Sequence, residues 1–169
     1  MKKIILLFFF VMIFGCEKEP IYNNYDEITH YFITDEEIFK FDTINKFKSI
    51  IGLGNYQKID FDKFEDELTS FTFKKNIITG NKLKQVDSII SNKIYHGPLN
   101  ITACTPIYRD ILILKKKNKI VSILKICFSC NMIANYGDEI KNNFNEKDIE
   151  SDDYFNNFIN LQKTLNNKN

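Results

Sequence analysis

Two apolar runs, Tyr108–Leu114 and Ile120–Phe128, flank a short polar connection at Lys115–Lys119. Both runs are rich in Ile, Leu and Val, and the connection is short enough to join antiparallel strands. With Lys115 opposite Ile120, Asp110 falls across from Lys125 as a favourable cross-strand charge pair. The same register puts Leu112 and Leu114 with Ile123 and Val121 on one side. Ile111, Ile113, Leu124 and Ile126 then share the other side. Strands that are apolar on both faces belong inside a sheet covered on both faces. The pattern predicts an α+β fold: an antiparallel sheet centred on the hairpin 108–128, packed by about three amphipathic helices.

Those helices can be read from a period near 3.6. Phe61, Phe64, Leu68 and Phe71 make one stripe, with Asp60 or Asp62 as the N-cap. A second helix starts at Thr79-Gly80-Asn81, carries Leu83, Val86, Ile90 and Ile94, and stops at His96-Gly97-Pro98. Ser151 caps a third, whose stripe is Tyr154, Phe158, Leu161 and Leu165. Between Glu27 and Gln57 two signals compete. Thr34-Asp35-Glu36-Glu37 has the form of a capping box, whereas Ile38–Asp42 alternates as a strand does, and strands are the expectation here. Phe71–Phe73 leads into a short strand towards Ile77 and Ile78, and Ala134–Glu150 reads as polar and irregular.

The first sixteen residues have a different pattern. Lys2 and Lys3 precede a continuous apolar run, Ile4–Phe14, which ends at Gly15-Cys16. The run is too short for a membrane-spanning helix, which needs roughly 17–25 residues, but fits the apolar region of a signal peptide. Ile13-Phe14-Gly15-Cys16 resembles the lipobox of bacterial lipoproteins. That resemblance implies cleavage before Cys16 and diacylation of its thiol, anchoring the protein to a membrane. Glu17–Asp26, with charges, Asn and a Pro, reads as a tether. The expected division is a signal peptide over 1–15, a tether over 16–26 and a single globular domain over 27–165. Without Lys2 and Lys3 the chain has 21 basic and 22 acidic residues. Such a balance gives no electrostatic case for nucleic acid.

Candidate chemistry centres on the cysteines. Cys127-Phe128-Ser129-Cys130 is a C-x-x-C motif. Covalent haem needs a His directly after the second Cys, where this chain has Asn131. A thioredoxin-like site needs the motif between a strand and a helix, and Asn131–Gly137 is a poor helix start. Zinc remains as a weaker alternative, with His96, Cys104, Cys127 and Cys130 as a Cys3His set. An exported chain favours a structural disulfide. Cys104–Cys130 is the preferred pair, given one residue bulged into the first strand near Pro106. Cys127–Cys130 is the alternative, and it requires the chain to turn. His30 and His96 lie in no local motif with a nucleophile, and no phosphate loop is present. No catalytic residue and no cofactor are therefore assigned.

With its lipobox and its Ile126–Cys130 segment (I-C-F-x-C), the chain resembles the small lipoproteins of Bacteroidetes-type bacteria. The resemblance implies a lipid-anchored cell-envelope protein, often at the outer membrane, and no particular activity. The expected function is a non-enzymatic binding or interaction domain with an unidentified protein partner. A toxin-neutralising immunity protein is the alternative, followed by a thiol-redox or zinc protein using the C-x-x-C pair.

Overall fold

A computed structural model describes residues 25–52, 59–92, 104–137 and 152–167 of the 169-residue chain. The leader, Cys16 and His96 lie outside these residues. Five strands, β1 (Glu27–Phe32), β2 (Lys74–Ile78), β3 (Asp110–Lys116), β4 (Lys119–Cys127) and β5 (Met132–Tyr136), form one open sheet. Every pairing is antiparallel, in the order β2-β1-β3-β4-β5. Five helices accompany it: α1 (Asp35–Phe41), α2 (Asn45–Ile51), α3 (Phe61–Ser70), α4 (Gly80–Asn92) and α5 (Asp152–Asn166). The fold is α+β. Among the described residues, no helix is long and apolar enough to cross a membrane.

The hairpin β3–β4 holds the middle of the sheet, as its two apolar faces require. Its two-residue loop is Lys117-Asn118, both at positive φ, 50° and 63°, which is what a type I′ hairpin turn demands. Lys115 does pair with Ile120, but a bulge between Leu114 and Lys115 then shifts the register by one residue. Beyond it Leu112 pairs with Leu124, Ile113 with Ile123 and Asp110 with Ile126. A one-residue slip turns the strand over relative to its neighbour. Leu124 and Ile126 therefore join Leu112 and Leu114, and the expected Asp110–Lys125 pair is not made. The bulge is sealed from β5: Ser122 Oγ donates to Asn135 Oδ1 at 2.9 Å. Gly137, at φ 119°, passes so close to the Val121 carbonyl that no Cβ fits there.

Each face of the sheet has its own core. The first face, called A here, joins Ile28, Ile78, Leu112, Leu114, Leu124 and Ile126 to Val86 and Ile90 of α4 and Phe158, Leu161 and Leu165 of α5. The opposite face, B, joins Tyr31, Ile111, Ile113 and Ile123 to Phe47 and Ile50 of α2 and to Phe64 and Leu68 of α3. Tyr25, just ahead of β1, is buried on face A with its hydroxyl on Asp87 of α4. Asp26 accepts a bond from the Lys117 amide at 3.0 Å.

The helices follow the apolar stripes. The Asp60 side chain accepts from the Asp62 amide at 3.2 Å and starts α3. The helix ends with the Phe73 amide on the Leu68 carbonyl and the Thr72 amide on the Thr69 carbonyl, both at 3.2 Å. That is the Schellman arrangement, with Thr72 at φ 62° where Gly is usual. The expectation of strands is met over Glu27–Phe32 and fails after it, where Asp35–Phe41 and Asn45–Ile51 form α1 and α2. Thr34 decides the matter: its amide and hydroxyl both donate to the Glu37 carboxylate, at 3.1 and 2.8 Å. Those bonds draw Glu37 below the usual carboxylate range, the amide bond first, and three acidic residues suit the positive end of the helix. Five alternating residues carry less weight than a satisfied helix start. The strand Met132–Tyr136 lies in a segment that the polar pattern marks as irregular from Ala134 on. Its turn depends on Asn131 at φ 50°, a conformation that Asn tolerates.

Candidate functional site

The cysteines resolve into a pair and a single thiol. Cys104 and Cys130 stand at disulfide distance, with Cα atoms 5.9 Å apart. The two halves of the C-x-x-C motif are thus not partners. The geometry behind the pair differs from a bulge near Pro106. Cys104 belongs to the lead-in before β3, which is held by the Tyr108 amide on the Ile51 carbonyl at 2.7 Å. Cys130 lies in the turn between β4 and β5, so the pair joins two connections rather than two paired strand positions. Cys127, at the end of β4, is 1% exposed, and its Sγ lies 3.3 Å from Ser129 Oγ. A buried thiol of this kind acts as a small apolar side chain. The zinc set is not assembled among the described residues, where no three His, Cys, Asp or Glu side chains could hold a metal.

A different group of residues forms a site. In β1 the alternation places Ile28, His30 and Phe32 on face A. His30 pairs with Leu112 of β3, which makes Asp110 its diagonal neighbour on the same face. His30 is 2% exposed, and its Nε2 lies 2.8 Å from Asp110 Oδ1. A carboxylate only accepts, so Nε2 carries the proton and the ring orientation is fixed. The Phe32 ring stacks on the imidazole with centroids 5.2 Å apart. His30 Nδ1, buried as well, has no hydrogen-bond partner in the protein.

His30 and Phe32 line a cleft of about 660 Å³ with Asn76 and the lysines of β2, facing Lys82 and the end of α5 at 165–167. The cleft lies between the polar end of β1 and β2 and the 165–167 stretch that ends α5. Lys82, in the first turn of α4, is buried, and its Nζ donates to the Leu165 and Asn167 carbonyls at 3.3 and 2.9 Å. It thereby closes the C-terminal end of α5, where a cation is favoured. Among the described residues no carboxylate lies within salt-bridge distance of this ammonium, which is met by the two carbonyls at the end of α5. Lys74 Nζ stands 6.0 Å from the Phe32 ring centre and 3.9 Å from Glu37. Lys75 turns its ammonium to face B, where it meets Glu65 at 3.5 Å and the Tyr31 ring. Among the described residues, no Asp or Glu lines the cleft.

Face B holds a second buried cation. Lys125 is 2% exposed, and its Nζ donates to the Ser49 carbonyl at 3.2 Å. The Tyr136 and Phe64 rings lie 5.0 and 5.8 Å away. Burial pushes its amine down to about 8, against the opposing pull of Glu67. Nearby, burial raises the Tyr31 phenol well above its ordinary value, aided by its bond to Glu65 at 2.6 Å. Burial acts on Glu65 in the upward direction too, but the bonds from Lys115 and Tyr31 outweigh it and hold that carboxyl low.

Local motifs miss the cleft because its chemistry is assembled from distant stretches. His30 and Asp110 are 80 residues apart, and Lys82 meets Leu165 across 83. The one available signal is a His and an Asp each placed on the inward side of an apolar strand. No protein-family model, curated protein or solved structure matches this chain.

Proposed function

We propose that the chain is a lipid-anchored binding protein of the bacterial cell envelope, acylated at Cys16 and non-enzymatic, which takes its ligand in the cleft between β1–β2 and the 165–167 end of α5. The observation that carries the binding reading is the cleft itself. A volume of about 660 Å³ is within the range of small-molecule sites. Two buried polar side chains, Lys82 and His30, line it. Groups of this kind are costly to bury unless something meets them. The envelope location draws support from the sequence, through the Met1–Cys16 layout, and from the Cys104–Cys130 pair, since disulfides persist in oxidising compartments. In this reading the pair is oxidised in the cell and Cys127 remains a thiol.

Two measurements test the proposal. Metabolic labelling with an alkyne fatty acid should mark the protein and place it in the membrane fraction, and Cys16→Ser should abolish both. A thermal-shift screen of the purified protein against anionic, neutral and cationic small molecules should find ligands whose effect is lost in Lys82→Met, with the ligand recovered unchanged. An unlabelled, freely soluble protein overturns the anchor. A screen in which no stabilising ligand depends on Lys82 overturns the cleft, and chemical turnover of a ligand overturns the non-enzymatic assignment.

A further inference from the structure

We propose that the lysine loop at the tip of the β3–β4 hairpin rests on an anionic phospholipid surface, an inference that depends on the lipid anchor at Cys16. Strand register sorts the two ends of the sheet. Glu27, at the start of β1, pairs with Lys115 near the end of β3, and Ile28 pairs with Ile78 at the end of β2. Lys116 and Lys119 close the hairpin at this same end, while Phe32, Lys74 and Asp110 mark the other. The end that carries the lysine loop is therefore the end where the chain enters the domain. Three contacts fix that entry. The Asp26 amide donates to the Lys115 carbonyl at 2.8 Å, the Asp26 carboxylate accepts from the Lys117 amide at 3.0 Å, and the Tyr25 hydroxyl is held on Asp87.

Chain length limits how far this end stands from the anchor. Cys16 and Tyr25 are nine residues apart in the sequence, a stretch that spans at most about 30 Å. With Cys16 acylated, the domain begins within about that distance of the headgroups. Turning the far end of the sheet to the membrane takes the chain along β1, roughly 20 Å of strand. The lysine loop needs no such detour. Charge then favours it. Lys116, Lys117, Asn118 and Lys119 are all exposed. Lys115 is taken up by Glu27 and Glu65, at 3.6 and 2.5 Å, whereas among the described residues Lys117 and Lys119 make no ion pair. The Asp26 carboxylate beside them already meets the Lys117 amide. A two-residue turn concentrates these ammonium groups at one point of the surface. An exposed hairpin tip encloses no small anion, but a plane of headgroup charge meets its lysines together. Each lysine close to an anionic leaflet adds about fivefold in affinity. The attraction fades within a screening length of about 8 Å at physiological salt, so Lys74 at the far end lies beyond it.

Amine-reactive labelling of the full acylated protein in vesicles tests the inference, with each lysine read by mass spectrometry. Phosphatidylcholine vesicles are compared with vesicles that contain about 30% phosphatidylglycerol. Lys117 and Lys119 should label about fivefold or more slowly on the anionic vesicles, while Lys74 should change by less than about twofold. Salt at about 1 M, where the screening length falls to about 3 Å, should restore their labelling. The native sequence carries the whole test, so no variant has to fold. Acylated protein that floats with both kinds of vesicle yet labels equally at Lys117 and Lys119 overturns the inference and leaves the anchor intact. Protection of Lys74 as strong as that of the loop overturns the assignment of this end. Protection in native envelopes that is absent on anionic vesicles points to a protein partner and overturns the lipid. Protein that carries no acyl chain and floats with neither kind of vesicle overturns the anchor and the inference together.

Discussion

Each face of the sheet buries an ionisable nitrogen base carried by one of its own strands, and the two faces treat it differently. On face B, α2 and α3 close over Lys125, leaving it a carbonyl and two rings. On face A, α4 and α5 supply the cover, and His30 keeps a carboxylate on Nε2 and lines a cleft beside them. Lys125 is a cost that the aromatic core tolerates. His30 is held in a fixed orientation beside a space large enough for a ligand. Burial and a shifted titration do not by themselves mark a site, because Lys125 has both and no access. A buried, oriented polar side chain that lines an open cleft is the stronger sign.

The largest expected effect checks whether face B is a closed core. Phe47 is fully buried among the Phe41, Phe71 and Phe73 rings. Phe47→Ala should lower unfolding free energy by about 3–5 kcal/mol in urea titration. A loss below about 1 kcal/mol would mean that the face is looser than drawn.

Lys125→Met should instead stabilise the protein. The displacement of its amine from 10.5 to about 8 corresponds to ~3 kcal/mol of burial cost at neutral pH. Losing the Ser49 bond and the ring contacts takes back part of this, leaving a gain of about 1–2 kcal/mol. The folded pKa lies below the unfolded one, so between about pH 8 and 10 the unfolded chain holds the extra proton. Stability of the native sequence should therefore rise with pH across that window, and the Met variant should lack the rise. Above pH 10 the slope should reverse, because Tyr31 holds its proton more tightly folded than unfolded. Melting temperatures across pH 7–11 for both proteins decide this.

Asp110→Ala on face A should cost about 1–3 kcal/mol by leaving His30 Nε2–H buried without an acceptor. It should also weaken any cleft ligand that needs His30, because the ring loses its fixed tautomer. If stability falls and ligand affinity does not, His30 is a packing residue, and the two faces differ less than argued. The smallest effect lies outside both sites. Thr72→Gly should stabilise by about 0.5–1 kcal/mol, since Thr occupies the left-handed position that ends α3. Parallel denaturant titrations would detect it.

The apolar pattern determined much of this protein. It placed the hairpin at the sheet centre and required cover on both faces, because strands without a polar side have nowhere else to go. The stripes Phe64–Leu68, Val86–Ile90 and Phe158–Leu165 marked three of the five helices, and the inward residues of each are buried as spaced. Tertiary structure decided the rest. A single bulge beside Leu114 set which hairpin residues share a face, sending Lys125 to face B and freeing Asp110 for His30. Local charge pairing could not foresee that exchange, since one such pair contributes little and both faces of the hairpin are apolar in either register. The cleft, too, exists only once α4 and α5 have docked, because its imidazole is oriented by a carboxylate 80 residues away and its buried ammonium is held by a carbonyl 83 residues away. Periodicity is a local property that the sequence carries in full, whereas convergence of polar groups depends on register and on where helices stop.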